Sequence, residues 1–322
     1  MNKEIDIKDM APVKASERHV ILDALRGFAL LGICFANFPE FSLYTFQKPE
    51  TTEAMPTAEI DKVIRFLQYL FVDGKFYTIF SLLFGIGFSI IISNAAKKGT
   101  DGFRIFYRRM IALAAIGFLH LMFIWSGDIL LLYAVLGMLH PLFRHVSDRV
   151  LLGTSAVLLL LPILIDWLAG TFGVSLSAPA VRMQQHYCNL YGITEYNFGI
   201  WLRDAENYGG VFQFLVQGAW VRLQEFIDGN RYFKVLGLFL LGFYIGRKQI
   251  YANLEANRML LKKKVTYGFL LGLPLSVLYA WSAVNGHPFG TAAHTAIYTA
   301  SVYPLGFAYV SAICLLYLHG RE

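Results

Sequence analysis

The sequence predicts an all-α, polytopic integral membrane bundle of about eight transmembrane helices, with one further amphipathic helix on the outer side. Three observations lead there. Apolar runs recur at close to membrane-crossing length, since ~20 residues rising ~1.5 Å each cross a ~30 Å hydrocarbon layer. Hydrophobic residues make up 56% of the 322 and charged residues 16%, with a mean hydropathy of +0.50, more apolar surface than a soluble chain of this length needs. Basic residues gather in the short connections, where Lys and Arg orient a membrane protein.

The net charge of +6 therefore reads as orientation and not as nucleic-acid binding. Cys34 and Cys314 sit in apolar runs and Cys188 stands alone, so no disulfide framework is expected. The first apolar run follows a largely polar stretch and lacks a small-x-small exit, so it reads as a first span and not as a cleaved signal. Residues 1–19 are then a cytoplasmic tail and 20–320 a single transmembrane domain.

Span 1 covers 20–38. Asp23 and Arg26 lie three apart on one face, either as an ion pair near the membrane surface or with Arg26 turned to a polar cavity to hold an anionic ligand. Asn37 follows Arg26 by eleven residues, about three turns or ~16 Å along the same face. A loop with Pro39, Pro49 and Pro56 leads to span 2 at 66–92, which is interrupted by Asp73, Gly74 and Lys75. Either 66–72 is an interfacial helix with the span starting near Lys75, or the helix is broken and lines a cavity.

The stretch 103–143 is a membrane hairpin: one arm runs from Arg109 to Trp125, Ser126-Gly127-Asp128 makes a tight turn, and 129–143 returns. His120 lies in the first arm, and a titratable group at that depth is a functional candidate by default. Span 5 is 150–168; the outer segment 169–230 follows, within which 211–226 has apolar residues at helical spacing and suits a helix lying on the outer surface. Spans 6, 7 and 8 are 232–246, 265–283 and 295–318, the first of them short. Lys97, Lys98, Arg104, Arg108 and Arg109 mark one cytoplasmic loop, and Arg247, Lys248, Arg258 and Lys262 to Lys264 another. Both termini are expected on the cytoplasmic side.

Span counting places Asn37, Lys75, His120 and Asp128 toward the outer side and Arg26 toward the inner half. His120 is a candidate general base, because imidazole titrates near neutrality; the alternative is a histidine satisfied by a nearby carbonyl or Tyr. Asp128 either orients that imidazole or caps the next helix, and it can do both only if its two oxygens divide the work. Tyr133 and Trp125 read as packing or interface aromatics, and Tyr133 is also carried as a donor-binding candidate. His287 and His294, seven apart, make no metal site, and no bound cofactor is expected. No phosphate-binding loop is present, which argues against an ATP-driven pump.

Four stretches, LDALRGFALLGICFAN (22–37), DGKFYTIFSLLFGIGF (73–88), GFLHLMFIWSGDILLLYAVLG (117–137) and LGLFLLGFYIGR (236–247), resemble in order the YeiB-like bacterial membrane proteins that carry domain of unknown function 418. The first stretch also resembles transmembrane acyltransferases, some of which place an Arg in the first span and a His after ten further residues. Here that position is Asn37, as in the heparan glucosaminide acetyltransferase branch, which uses a His further along; His120 is the nearest one in this chain. The resemblance implies acyl transfer from a cytoplasmic acyl-CoA-type donor to an extracytoplasmic glycan or lipid acceptor. Arg26 and Lys75 would bind the donor, and Asn37, His120 and Asp128 would serve the chemistry. Family members usually continue into a further helical portion, so a shortened version or a fragment is expected. Small-solute transport is the alternative, since Gly-broken and Pro-kinked spans suit it too.

Overall fold

A computed structural model describes residues 19–320; the expected cytoplasmic tail, apart from His19, lies outside them. Every regular element among the described residues is helical. In chain order these are α1 (Val20–Phe41), α2 (Pro49–Glu53), α3 (Ala58–Phe71), α4 (Lys75–Lys97), α5 (Gly102–Phe123) and α6 (Leu130–Leu139). Then come α7 (Asp148–Phe172), α8 (Ala178–Tyr191), α9 (Trp201–Asp204), α10 (Tyr208–Asp228), α11 (Arg231–Arg247), α12 (Arg258–Val284) and α13 (Thr291–His319).

Local chemistry sets several boundaries. Asp101 caps α5 by accepting from the Phe103 and Arg104 amides, and the Ser147 hydroxyl caps α7. Gly173 and Gly192, both left-handed, end α7 and α8. Gly74, at φ +73°, breaks the run expected at 66–92 into α3 and α4; a Cβ there would also overlap Tyr298. The break falls where Asp73-Gly74-Lys75 predicted it, and the preceding helix starts earlier than expected, at Ala58.

At the centre α4 packs against α11. A Cβ added to Gly85 would overlap the Phe239 carbonyl, and one added to Gly242 would overlap that of Leu82, so the two backbones touch where only glycine fits. Val235, Leu238, Phe239 and Leu240 of α11 have no exposed surface. The Ser155 hydroxyl of α7 donates to the Gly237 carbonyl at 2.7 Å, joining α7 to the same helix. Helices α12 and α13 form a close pair, α3 lies on α12 through Ser276 and Leu70, and α1 lies on α4. Large apolar side chains such as Leu30, Phe35, Ile111, Val157, Leu164 and Leu270 face outward, as lipid contact requires.

Among the described residues, six helical stretches are long and apolar enough to cross a membrane: α1, α3 with α4, α5, α7, α12 and α13. The expected count of eight is therefore corrected to six. Residues Leu130–Phe143 form a shorter apolar helix, and α11 has 17 residues carrying Arg231, Lys234 and Arg247. Helix α11 can be short because α4 and α7 flank it, so its length is not set by lipid thickness. The architecture is that of a multi-pass membrane protein.

The bundle has two ends. At the Trp125 end, α1, α5, α7 and α12 finish and α4, α6, α11 and α13 start, as shown by Arg222 meeting Ser126 and Glu40, Asn230 meeting Asp166, and Tyr279 meeting Asp73. At the Arg247 end, Arg247 reaches Asp148 and the carbonyls of Arg144 and Val146. Segment 169–230 is mostly helical, and α10 differs from the expected surface helix: Phe214, Leu215, Gln217, Gly218 and Arg222 are buried against protein. The physical reason is that its interspersed polar residues have protein partners, Arg222 on Ser126 and Gln217 near Gln184 and Cys188.

Candidate functional site

The site begins with the turn between α5 and α6. The His120 carbonyl accepts from the Ile124 and Trp125 amides, closing α5. Gly117 lets α5 lie directly against Leu131 of α6, so the two arms stay together beneath the turn. This brings His120 and Asp128 face to face. His120 Nδ1 lies 3.1 Å from Asp128 Oδ1, while Asp128 Oδ2 accepts the Leu131 amide at 2.8 Å. The carboxylate thus splits its oxygens between the imidazole and the start of α6. Asp128 is 2% exposed, whereas the His120 side chain keeps about a third of its surface, 33%. A neutral imidazole facing a carboxylate through Nδ1 carries its proton there, which leaves Nε2 with a lone pair.

Arg222 of α10 braces the turn. Its Nε donates to the Ser126 carbonyl at 3.0 Å, its Nη1 to Glu225 Oε2 at 2.6 Å, and Glu40 of α1 lies 3.8 Å from Nη2. Gly218 gives Ser126 room against α10, and the Tyr208 hydroxyl donates to the Phe123 carbonyl at 2.5 Å. Arg222 also lies within electrostatic reach of Asp128 and Arg231. Neither Arg222, within the expected amphipathic stretch 211–226, nor Glu40 stands out in the sequence as a site residue. The available signal was a charged residue inside an otherwise apolar helical face.

The other sequence-predicted residues fall elsewhere. Asn37 is half-buried near the end of α1, one turn before Phe41. Arg26 sits toward the opposite end of α1, paired with Asp23 at 2.7 Å, and both side chains are about half exposed, 43% and 52%. Lys75 is fully buried and donates to the Tyr69 carbonyl at 2.6 Å. Tyr133, 1% exposed, shares a 2.5 Å hydrogen bond with Ser81 and packs among Tyr77, Phe84 and Phe239. The two clearest concavities, one around Ile165, Leu168 and Phe172 and one around Asn197, Trp201 and Gln213, include none of Arg26, Lys75 and His120.

Among the described residues no trio of His, Cys, Asp or Glu is placed to hold a metal ion. His287 and His294 stack 3.8 Å apart, and His294 Nδ1 lies 2.9 Å from the Ser282 hydroxyl. Burial pushes the Cys188 thiol up, against a smaller lowering by Gln184, so it stays protonated at neutral pH and is a poor nucleophile.

The chain is similar to an uncharacterized 39.9 kDa protein encoded in the amylase 3' region of Bacillus acidopullulyticus, 39% identical over 151 residues, 47% of this chain and 41% of that protein. It is 28% identical over 287 residues to the uncharacterized protein YxaH of Bacillus subtilis strain 168, covering 85% of this chain and 69% of YxaH. It is 35% identical over 125 residues to the uncharacterized protein YeiB of Escherichia coli strain K12, covering 38% and 30%. The matched part spans less than half the length of the first and third of these relatives. They support the YeiB-like resemblance. No family model matches the chain, and no solved structure matches it.

Proposed function

We propose that this chain is a membrane-embedded acyltransferase that passes an acyl group from a cytoplasmic acyl-CoA-type donor to a glycan or lipid hydroxyl on the outer side. The observation that supports it best is the His120–Asp128 pair, a half-open imidazole held by a buried carboxylate at the edge of the bundle. In this reading the Trp125 end faces outward and the basic loops face the cytoplasm, where their charge attracts CoA. The acceptor hydroxyl gives its proton to His120 Nε2 as its oxygen attacks the thioester carbonyl carbon. A C–O bond forms, the C–S bond breaks, and the proton leaves with the CoA thiol. Asp128 holds the tautomer and stabilises the imidazolium. Arg26 lies toward the opposite end of the bundle from His120 and belongs to the donor side: its ion pair with Asp23 opens for a CoA phosphate, and the extended acyl-pantetheine arm carries the thioester to His120.

The test is labelled acyl-CoA added to the purified chain with a hydroxyl acceptor. His120→Ala is expected to lower transfer by ~10²–10⁴-fold while the folded protein is retained; undiminished transfer would remove His120 from the mechanism. One observation favours a second reading, small-solute transport: the break between α3 and α4 beside the buried Lys75 and the half-buried Asp73. Solute flux in proteoliposomes without any thioester cleavage would select it.

A further inference from the structure

Three cations gather where α4 and α11 begin, with Asp73, Asp166 and Glu225 within electrostatic reach but none in direct contact with them. Lys75 opens α4; its ammonium donates to the Tyr69 carbonyl and faces the Tyr279 ring, 5.0 Å from the centroid, with Asp73 within electrostatic reach. Lys234, in the first turn of α11 and 8% exposed, holds its ammonium 4.2 Å from the centre of the Tyr298 ring. Arg231, the first residue of α11, lies within electrostatic reach of Asp73, Tyr77, Glu225 and Tyr298. Among the described residues none of the three forms a salt bridge. The nearby acids are engaged elsewhere. Asp73 accepts from the Tyr279 hydroxyl, Asp166 from Asn230 at 2.7 Å and Thr295 at 2.5 Å, and Glu225 from Arg222.

This placement is unfavourable twice over. A buried ammonium with no counter-charge in direct contact is costly. A helix start also carries about half a positive charge and favours anions. Yet neither α4 nor α11 has an acid in its first turn or a side-chain cap, and cations stand there instead. The first amides of α11 precede its first internal bond, which Lys234 makes to Asn230, so they are free to donate outward. Asn230 is 1% exposed and its Oδ1 has no partner, a buried acceptor suited to a ligand hydroxyl.

We propose that this end of the bundle binds a phosphate ester. Arg231, Lys234 and the α11 amides contact the anion, Lys75 adds charge from behind, and Asn230 takes a hydroxyl of the same ligand. Phosphate fits better than carboxylate because its tetrahedral free oxygens, two in a diester and three in a monoester, can meet side chains and helix-start amides from several directions at once. The ester comes from a phospholipid headgroup or from a soluble polyol phosphate. The site stands apart from acyl transfer, since binding is read without any acyl donor.

The experiment places the full chain in phosphatidylcholine nanodiscs and follows its unfolding midpoint by tryptophan fluorescence while sn-glycerol 3-phosphate is added. A second set of discs contains phosphatidylglycerol. The midpoint is expected to rise with one of these two probes. Stabilisation by glycerol phosphate assigns a soluble ligand; stabilisation by phosphatidylglycerol alone assigns a headgroup. Arg231→Gln and Lys234→Met are expected to weaken the response by about tenfold or more, while Lys62→Gln, at an exposed ion pair, leaves it unchanged. Without any anion, Lys234→Met is expected to raise the midpoint, because it removes a buried charge that makes no direct ion pair; a merely structural lysine predicts a fall. Wild-type protein indifferent to both probes overturns the proposal, as does an Arg231→Gln or Lys234→Met variant that responds like wild type. If these variants do not fold, the wild-type titrations alone decide.

Discussion

The two ends of the bundle treat the same residue types in opposite ways. At the Trp125 end, His120 keeps a third of its surface and a carboxylate partner, and cations lie inside the helix bundle. Toward the Arg247 end, His140 has no exposed surface, neither ring nitrogen has a partner, and the ring packs against Phe88, Phe239 and Phe243. Cations there form ion pairs near the surface, Arg247 and Lys248 with Asp148 and Arg26 with Asp23. The difference separates a part-exposed histidine with an acid partner from a buried one packed among aromatic rings. It also separates cations buried inside the bundle from cations paired near its surface.

The comparison is broken most completely by disrupting what both ends share. Gly242→Leu drives a side chain into the Leu82 carbonyl, which cannot retreat because it belongs to α4. The expected cost exceeds the ~1–3 kcal/mol usual for overpacking, seen as loss of monodisperse protein in detergent. Next comes the pair itself. Asp128→Asn keeps an acceptor for the Leu131 amide but loses the charge facing His120, so transfer is expected to fall by ~100-fold or more with little change in unfolding midpoint. Asp128→Ala removes the cap as well and adds ~0.5–2 kcal/mol of destabilisation. If the two variants are equally destabilised, the capping bond is not what Oδ2 contributes.

The effect should invert at the other histidine. His140→Leu removes a buried, unpartnered polar ring, so stability is expected to hold or rise by ~1–3 kcal/mol and transfer to stay within about twofold. A loss of transfer there would erase the contrast between the ends. The smallest effect is expected for Arg26→Gln, whose partner is also half exposed: ~0–1 kcal/mol in the unfolding midpoint at moderate salt. A large drop in acyl-CoA affinity with unchanged stability would instead place Arg26 at the donor.

Much of the architecture was legible because lipid leaves a plain mark on sequence. Apolar runs, the tight Ser126 to Asp128 turn and the helix break at Gly74 all follow from local chemistry, and the facing of His120 and Asp128 follows from a hairpin too short to do otherwise. The count of six long helices was not legible, because an apolar run of 14 or 17 residues reads the same whether lipid or protein surrounds it. Nor was Arg222, whose partners Ser126 and Glu40 lie 96 and 182 residues away in the chain.

By itself, then, the sequence determined that the chain is a helical membrane protein, where its turns fall, and which histidine sits opposite an acid, since each depends on neighbours within a few turns of chain. Only the tertiary structure decided that α11 is a central helix, that Arg222 of α10 braces the Ser126 turn, and that Lys75, Arg231 and Lys234 make no salt bridge. Those outcomes depend on which distant helices meet, and pairing between distant charges has no local signature.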